Sequence, residues 1–324
     1  MRQKLKIALQ MDPLEKLDLK GDSTFILGLE AIKRGFELYF YSPSDLIYKN
    51  NNVYAKAKIL DLAFENGKEK FNYGKIKVLK LSSLDVILMR QDPPFNMNYI
   101  TATHLLEKLQ PKVFILNDPM SVRNSPEKLF VTKFNNLMPP TLISSDKKEI
   151  LRFRNKYKDI IIKPLFGNGG ESIIRIDKND KNFSSLLEMF FKMYSEPLMI
   201  QKFIKEVSKG DKRIILLNGE VIGSINRIPA KGEIRANLHV GARAAKGTLS
   251  KDEIDICNTI SPFLKKQKLY FAGIDVIGGK YLTEINVTSP TGLQEINKFE
   301  NKKCEVDIWK FIENTISSWK ILIN

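Results

Sequence analysis

The sequence predicts an α/β fold that becomes α+β towards its C-terminal end. In the first third of the chain, short apolar runs of strand length alternate with a helical segment, which favours an open α/β sheet with polar loops at the strand ends. Beyond about residue 206, glycine-containing turns separate the apolar runs and predict hairpins. With 324 residues, 43% of them hydrophobic, the chain is long enough for two or three packed subdomains.

The first part of the chain is predicted to contain several strands and one helix. Ser23 is expected to cap an amphipathic helix that runs to Gly35. The strands are expected at residues 6–11, 36–41, 85–90 and 113–116. Because Asn117-Asp118-Pro119 closes the last of these strands, we expect a substrate-side α/β domain over residues 1–120.

Two further parts are expected after this boundary. A helical pattern begins after Ser125-Pro126 and opens a smaller central region over residues 121–205. Residues 206–324 contain predicted hairpin turns at Asn218-Gly219 and Gly278-Gly279. The chain is expected to end in a helix whose apolar residues are Trp309, Phe311, Ile312 and Ile316.

The formal net charge of +15 raises the question of a polyanionic partner. The lysines are dispersed, and short clusters such as Lys147-Lys148 stand beside acidic residues. We therefore expect a solvated basic surface with no nucleic-acid and no membrane partner, while a polyanionic partner remains the alternative.

Cysteine usage and hydropathy predict a cytoplasmic protein. Cys257 and Cys304 form no CxxC motif and have no neighbouring histidine, so neither a zinc site nor a disulfide framework is expected. The apolar stretch at residues 5–9 is interrupted by Lys6, and we expect no signal peptide there. No run approaches the ~20 apolar residues that a membrane span needs.

A glycine-rich loop between two β-like runs is the first candidate for chemistry. Residues 159–176 contain Gly167, Asn168, Gly169 and Gly170, whose backbone N–H groups can approach phosphate oxygens. The loop is not a Walker A loop, because no Gly-Lys-Ser/Thr follows and the next run is predicted to be a strand. Two lysines, Lys163 at the end of the preceding run and Lys128 earlier, could lay their ammonium groups on the same phosphates. A structural hairpin turn remains the alternative.

A short apolar strand further on could hold a nucleotide base. Gln201, Lys202, Phe203 and Ile204 enter a connection whose free backbone groups can hydrogen-bond to an adenine edge. Asp211 lies just beyond, where it could bind the ribose hydroxyls or simply form a turn.

The hairpin around Gly278-Gly279 carries candidate metal ligands. A two-residue turn there would place Ile277 opposite Lys280 and Asp275 opposite Leu282. Asp275, Glu284 and Asn286 would then project from one face, because side chains repeat every two residues along a strand. Two carboxylates and an amide oxygen suit Mg²⁺, which prefers oxygen ligands shared with substrate phosphates. The alternative is a polar face that meets water.

Two loops complete the candidate site. Residues 227–243 lack an apolar period and are interpreted as a lid that carries Arg227, Arg235 and Asn237. The guanidinium groups of its arginines could bind a carboxylate or acyl phosphate. Ser289, Pro290 and Thr291 precede a helix-like segment and could offer backbone donors to a substrate carboxylate, although helix capping explains them equally well.

Several of these blocks, taken in order along nearly the whole chain, resemble the bacterial glutathione synthetases, a family of ATP-grasp ligases. The resemblance is carried by ILMRQDPPF, NDPMSVRNSPEKLF, IIIKPLFGNGG, GDKRIILLNGEVIGSINRIP and GIDVIGGKYLTEINVTSPTG. The most specific of them are MRQDPPF and TEINVTSPT. The resemblance implies an ATP-grasp fold preceded by an open α/β domain.

The resemblance also implies an activity and a role for each candidate residue. ATP would phosphorylate the C-terminal carboxylate of γ-glutamylcysteine, and the amine of glycine would attack the acyl phosphate. Lys128, Lys163 and the 167–170 loop would bind the ATP phosphates, residues 201–204 the adenine and Asp211 the ribose. Asp275, Glu284 and Asn286 would hold Mg²⁺, with Mn²⁺ as an alternative. The reacting groups would be steadied by Arg227, Arg235 and Asn237. The substrate would contact Arg90, Asp92, Ser289, Pro290 and Thr291. The resemblance also implies that the protein is a homotetramer.

Two positions depart from the pattern that the resemblance leads us to expect. Phe166 stands where the loop usually carries Asp, and Gln91 stands where a Lys commonly follows the Arg of the DPPF motif. Two alternatives to this activity stay open. One is an ATP-grasp ligase that acts on a peptide or protein tail, and the other is a non-catalytic ATP-binding module.

Overall fold

The N-terminal part of the chain forms a mixed sheet with helices on its faces. The structure, a computed structural model, describes residues 4–167 and 169–323. The elements of this part are β1 (Lys6–Gln10), α1 (Ser23–Lys33), β2 (Glu37–Tyr41), β3 (Leu46–Lys49), β4 (Asn52–Glu65), β5 (Lys68–Lys80), β6 (Val86–Met89), α2 (Met97–Glu107), β7 (Phe114–Leu116), α3 (Pro119–Arg123) and α4 (Glu127–Phe130). The strand order is β3-β4-β2-β1-β6-β7, with β5 paired to β4. Strands β2, β1, β6 and β7 are parallel, so the polar segments that follow β1, β6 and β7 meet at one edge.

The predicted strands of this part are confirmed, each one or two residues shorter than expected. The prediction that Ser23 caps the helix was wrong, because the side chain of Asp22 accepts the hydrogen bond from the Phe25 N–H instead. The Ser23 hydroxyl is used elsewhere and accepts a hydrogen bond from the backbone N–H of Leu293. The local capping rule chose Ser23, but its hydroxyl makes a tertiary hydrogen bond and the preceding Asp22 caps the helix.

The long hairpin of β4 and β5 was missed from the sequence. Its strands carry many lysines, although in β4 the buried Ala55, Ala57, Leu60 and Leu62 alternate with more exposed residues. The turn at Asn66-Gly67, with φ values of 52° and 73°, is the left-handed pair that favours a two-residue hairpin. That Asn-Gly pair was the available signal.

The central part is an antiparallel sheet covered by two helices. Its elements are β8 (Thr141–Ser144), α5 (Lys147–Tyr157), β9 (Ile160–Pro164), β10 (Ile174–Ile176), α6 (Phe183–Met193) and β11 (Leu198–Lys202). The strand order is β10-β9-β11-β8, and a compact cluster that includes Ile150, Ile162 and Leu187 packs between sheet and helices. The glycine-rich loop joins β9 to β10 at the end of this sheet, and the strand predicted after it is confirmed.

The C-terminal part is a second antiparallel sheet. Its elements are β12 (Asp211–Leu217), β13 (Glu220–Ile228), β14 (Arg243–Lys246), α7 (Lys251–Lys266), β15 (Phe271–Ile277), β16 (Tyr281–Asn286), α8 (Leu293–Glu300) and α9 (Cys304–Ile323). The strand order is β14-β13-β12-β15-β16. The predicted two-residue turn at Asn218-Gly219 is confirmed, because Leu217 lies opposite Glu220. Within the described residues, no helix is long and apolar enough to cross a membrane.

The final helix returns the chain to the N-terminal sheet. Trp309 of α9 is fully buried, its indole N–H donates to the carbonyl of Leu27 in α1, and its ring lies 5.5 Å from that of Phe36. The two hydrophobic clusters on the faces of the N-terminal sheet also include residues of the C-terminal sheet. The division at residues 120 and 205 therefore stays our proposal. The first and third of its parts share core, while the central part has a cluster of its own.

Asn117 links the N-terminal sheet to the hairpin of β15 and β16. Its side-chain amide donates to the carbonyl oxygens of Phe271 and Val287, and its carbonyl accepts from the N–H of Phe271. The residue is 3% exposed, so water cannot replace these bonds. It fixes where the strands that carry Asp275 and Glu284 begin and end.

We expect Asn117→Ala to lower the free energy of unfolding by about 2–3 kcal/mol, because it leaves buried backbone groups without partners. Urea unfolding followed by circular dichroism measures the change. The matched control is Asn124→Ala, at an exposed position seven residues along the same segment. An equal loss of stability in both variants would contradict this account of Asn117.

Candidate functional site

A cleft of about 700 Å³ lies where the three parts of the chain meet. Its walls come from the glycine-rich loop and β9 and β11 of the central sheet, from β12, β13, β15 and β16, and from N-terminal residues around Asp22 and Asp92. The strands position these side chains because the first residues of β12 and the last of β13 and β15 lie side by side at one end of the C-terminal sheet. The cleft gathers residues that are far apart in the sequence.

Two buried lysines and a glutamate converge in the middle of the cleft. Lys128 of α4 and Lys163 of β9 are 4% and 5% exposed, and their Nζ atoms lie 3.8 Å and 3.9 Å from Oε1 of Glu284. Burial lowers the pKa of Lys163, although the charge of Glu284 opposes that effect. Lys128 also donates to the carbonyl of Gly167 at 2.5 Å. This pair of ammonium groups beside a glycine-rich loop suits an anion with several oxygens.

Asp275 is compensated by two arginines on neighbouring strands. Arg213 lies directly opposite Asp275 in the sheet, with Nε to Oδ1 at 2.5 Å and Nη2 to Oδ2 at 3.0 Å. Arg227 reaches the same carboxylate at 3.0 Å and Asp211, its cross-strand partner, at 2.8 Å. The result is a buried network of alternating charge at one end of the C-terminal sheet. Arg213 was missed from the sequence, although it lies in the GDKR block.

The two carboxylates of this network differ in acidity. Burial alone would raise the pKa of Asp275, but Arg213 and Arg227 hold it at about 2. Burial raises the pKa of Asp211 to about 6, and the lowering by Arg227 only partly offsets that effect. Among the described residues, Oδ1 of Asp211 is buried without a hydrogen-bond partner. A ligand hydroxyl in the cleft would satisfy this atom.

The predicted register of the metal-site hairpin was wrong. Ile277 lies opposite Tyr281 and not opposite Lys280, so the turn has three residues. A bulge between Asp275 and Val276 then places Asp275 directly opposite Glu284 and not opposite Leu282. The bulge absorbs Thr283, whose hydroxyl donates to the Asp275 carbonyl. The two carboxylates are therefore direct cross-strand neighbours.

The donor set around Asp275 fits a hard divalent cation. The amide nitrogen of Asn286 donates to the carbonyl of Gly273 and to Oδ2 of Asp275, which leaves the amide oxygen as the atom that could bind a metal. Among the described residues, no group of three or more His, Cys, Asp and Glu could hold a metal ion. The candidate site has two carboxylates and one amide, a set that needs phosphate or water oxygens to complete an octahedral shell.

The far end of the cleft is formed by β11 and the connection after it. Lys202, Phe203 and Ile204 line the cleft together with the buried Gln201, whose side-chain amide donates to the hydroxyl of Thr141. The guanidinium of Arg175 lies 4.1 Å from the centre of the Phe203 ring. The predicted base-binding residues and the predicted ribose residue Asp211 thus line the same cleft.

The predicted lid is partly strand and partly loop. Arg227 lies in β13 and is 4% exposed, so the expectation that it belongs to the loop was wrong. Arg235 and Asn237 lie in the loop proper, where Arg235 pairs with Glu233 and its Nη1 lies 3.5 Å from the carbonyl of Gly170. Asn237 lies so close that a Cβ on Gly170 would approach its Oδ1 to 2.6 Å. The lid and the glycine-rich loop therefore touch.

The predicted substrate residues separate into two layers. Asp92, Ser289 and Thr291 line the cleft. Within the described chain, Arg90 and Pro290 lie behind it, where the Arg90 guanidinium donates to the carbonyl of Pro290 and to the hydroxyl of Thr24. Arg90 thus holds the segment that carries Ser289 and Thr291. Asn168, the remaining predicted phosphate-loop residue, lies outside the described residues.

The two departures noted in the sequence have local partners. The ring of Phe166 stacks on that of Phe95, with centroids 6.4 Å apart and planes inclined by 17°. Gln91 is buried and accepts a hydrogen bond from the side-chain amide of Gln10 in β1 at 2.9 Å. Neither residue displaces Lys128, Lys163 or a candidate metal ligand.

Glu127 is a cleft residue that the sequence did not reveal. Its carboxyl accepts a hydrogen bond from the hydroxyl of Thr288 at 2.7 Å. It also interacts electrostatically with Lys128 and Glu284. Burial raises its pKa to about 7, against the lowering effect of Lys128. Glu127 directly precedes Lys128 in the sequence, but no motif or spacing marked it as a residue of the site.

Comparisons with known proteins agree along the chain. Residues 5–123 match the family model for the prokaryotic glutathione synthetase N-terminal domain, and residues 127–301 match the model for its ATP-grasp domain. The glutathione synthetase of Mesorhizobium japonicum is 48% identical over 96% of this chain and 98% of its own, and that of Agrobacterium fabrum is 48% identical over 95% and 96%. The solved structure of the D-cycloserine synthetase DcsG has a TM-score of 0.67 at 12% identity, covering 96% of this chain and 99% of its own.

We expect the stability of the ligand-free protein to fall as pH rises from about 4.5 to about 7, in part because of Glu127. Its pKa is raised in the folded state, so folding takes up a proton in this range and the stabilising contribution is lost above it. In Glu127→Gln, which keeps an acceptor for Thr288, the loss should be smaller by on the order of 1 kcal/mol.

Urea unfolding at about pH 5 and about pH 7.5, in chelator and without nucleotide, tests this pH dependence. The control is Glu220→Gln, at a side chain that is 77% exposed and should keep the wild-type slope. Identical slopes for all three proteins would show that Glu127 does not titrate differently on folding.

Proposed function

The chain belongs to the prokaryotic glutathione synthetase family, and we propose that its cleft joins γ-glutamylcysteine to glycine through an acyl phosphate. As a member, it is an ATP-dependent ligase of glutathione biosynthesis with an ATP-grasp fold behind an open α/β domain. Its substrates are a peptide and an amino acid. The identity of each substrate, the metal and the role of each residue are the parts that we propose.

The proposed reaction has two steps. A carboxylate oxygen of the C-terminal cysteine attacks the γ-phosphorus of ATP, and the bond to the β-phosphate oxygen breaks to release ADP. The uncharged amine of glycine then attacks the acyl carbon, and the bond from that carbon to the phosphate oxygen breaks. Inorganic phosphate leaves, and the nitrogen loses one proton to solvent or to the departing phosphate as the amide forms. Phosphorylation is needed because a free carboxylate has no leaving group. Positioning and electrostatic stabilisation supply the catalysis.

The observation that carries the proposal is the convergence of Lys128 and Lys163 on Glu284 beneath the glycine-rich loop. Two buried ammonium groups would repel each other unless anions lie between them, and Glu284 alone compensates one charge. Phosphate oxygens of ATP would supply the remaining negative charge. Gly169 and Gly170, with φ values of 61° and 81°, have the left-handed backbone that brings N–H groups to a phosphate.

The nucleoside would lie along the wall that β11 forms. Residues 201–204 line the cleft beside Asp211, whose buried Oδ1 is without a hydrogen-bond donor among the described residues. A ribose hydroxyl is a donor of the right kind for this carboxylate. The adenine would lie beyond it, against Phe203 and Ile204.

Asp275, Glu284 and Asn286 would hold Mg²⁺, with Mn²⁺ as the alternative. Their hard oxygen donors and the ionised state of Asp275 fit a divalent cation. The neighbouring lysines fit the phosphate with which that cation would be shared. When bound, the ion would add positive charge to the phosphate oxygens during transfer. The arginines that pair with Asp275 keep that carboxylate in place and ionised.

The acceptor side of the reaction would use the lid and the segment behind it. Arg235 and Asn237 lie against the glycine-rich loop, where they could cover the transferring phosphoryl group, and Arg227 orders the end of the sheet beneath them. Asp92, Ser289 and Thr291 would contact the peptide. We also propose a cytoplasmic location, on the cysteine usage and hydropathy of the sequence, and a homotetramer, on the family resemblance alone.

We expect purified protein to release ADP only when Mg-ATP, γ-glutamylcysteine and glycine are all present, and to lose at least about 100-fold in rate in Asp275→Asn and Glu284→Gln. Both variants replace a charged candidate metal ligand with a neutral amide and remove a compensating charge. A coupled ADP assay with each component omitted in turn measures the requirement, and Glu220→Gln is the control at an exposed glutamate.

Thermal unfolding of each variant separates loss of catalysis from loss of fold, because Asp275 also compensates two arginines. ADP release that is indifferent to the peptide and to glycine would leave ATP binding in place and discard the ligation. ADP release with another peptide or tail in place of γ-glutamylcysteine would indicate a different ligase of the same fold.

The lid is expected to become ordered when ligands bind. Trypsin should cut the free protein after Lys231 and Arg235, and Mg-ATP with γ-glutamylcysteine should slow both cuts by roughly 5-fold or more, since a covered loop opens less often. Mass spectrometry of the fragments measures the rates, with the exposed turn at Lys178 as the control site. Equal cleavage of the lid with and without ligands would refute the ordering.

A further inference from the structure

An aromatic contact between Phe95 and Phe166 connects the glycine-rich loop to the segment that follows β6. Phe166 is the residue of the glycine-rich loop that precedes Gly167, and Phe95 follows Asp92 by three positions in the segment after β6. The first belongs to the predicted phosphate loop and the second to the N-terminal part of the chain. Their rings are 6.4 Å apart and nearly parallel, which is within the range of an offset stack.

Each ring is held from its own side. Phe95 packs on the buried ring of Tyr99 in α2, with centroids 5.0 Å apart. Phe166 follows Leu165, which is 6% exposed and anchors the start of the loop. Both phenylalanines are partly buried against the same hydrophobic cluster. The contact is therefore between two supported segments and not between two free side chains.

The residues beside this contact belong to the candidate site. The carbonyl of Gly167, next to Phe166, accepts from Lys128, and Asp92 lines the cleft on the other side. A shift of the loop towards bound phosphates would move Phe166, and Phe95 with it. An Asp at position 166 could not make this contact, so the feature follows from the Phe in this chain.

We propose that Phe166 is a positioning residue that couples nucleotide binding at the glycine-rich loop to peptide binding beside Asp92, through its stack on Phe95. This inference rests on the proposed function, because it takes the two ligands from it. The coupling is reciprocal, so peptide must raise the affinity for nucleotide by the same factor as nucleotide raises the affinity for peptide. The ring contact thus joins the glycine-rich loop, where the nucleotide would bind, to the segment of Asp92, where the peptide would bind.

The test measures the affinity for a non-hydrolysable Mg-ATP analogue by calorimetry, with and without saturating γ-glutamylcysteine. The ratio of the two dissociation constants is the coupling factor. We expect Phe166→Leu and Phe95→Leu each to lower this factor by about 2- to 12-fold, the range expected for the loss of an aromatic pair. The double variant should lower it no further than either single variant, because both remove the same contact.

Two controls separate positioning from general structure. Phe166→Tyr keeps the ring and should keep the coupling factor. Phe191→Leu removes a half-buried ring from α6, outside the cleft lining, and should also leave the factor unchanged. Phe166→Asp should behave like Phe166→Leu. If Phe166→Leu proves too unstable to assay, Phe95→Leu and Phe166→Tyr still decide between the outcomes.

Two failures would be distinguishable. Wild-type protein that binds both ligands, together with leucine variants that keep the wild-type coupling factor or add their effects in the double variant, would overturn this inference alone. Wild-type protein that binds neither the ATP analogue nor the peptide would overturn the proposed function as well. A fall in the factor for Phe191→Leu equal to that for Phe166→Leu would reduce the effect to one of stability and overturn the positioning role.

Discussion

The buried carboxylate of Asp275 is the constraint on which the cleft depends. Moving a carboxylate out of water is costly, and Arg213 and Arg227 compensate it from two strands of the same sheet. Those arginines are themselves buried, so each needs its acidic partner, and Arg227 has a second one in Asp211. The charges therefore fix β12, β13 and β15 relative to one another. The same alignment sets Glu284 opposite Asp275 and beside the two lysines.

The glycine-rich loop is held by contacts from each part of the chain. Phe95 touches it from the N-terminal part, Lys128 from α4 and Arg235 from the lid. The loop has little core of its own, and its positive-φ glycines leave the backbone adaptable. Packing outside the cleft thus bears on the chemistry inside it.

Local rules succeeded where local physics decided the outcome. The Asn218-Gly219 turn was predicted because both residues accept the left-handed backbone of a two-residue hairpin. The same rule placed Asp275 opposite Leu282 and was wrong, because the turn has three residues and a bulge at Thr283 shifts the register further. The Ser23 cap and the position of Arg227 in a loop were wrong for a related reason. In each case a contact with a distant strand or helix decided the local geometry.

The sequence by itself determined the fold class, the four mutually parallel strands of the N-terminal sheet, the glycine-rich loop and the residue types that could bind phosphate and metal. Those follow from periodicity, turn chemistry and the chemistry of single side chains, which are local properties. Only the tertiary structure decided that Arg213 compensates Asp275, that Arg90 lies behind the cleft and that Glu127 lies inside it. Such outcomes depend on which distant groups share a buried space, and the free energy of a buried charge is set by those neighbours.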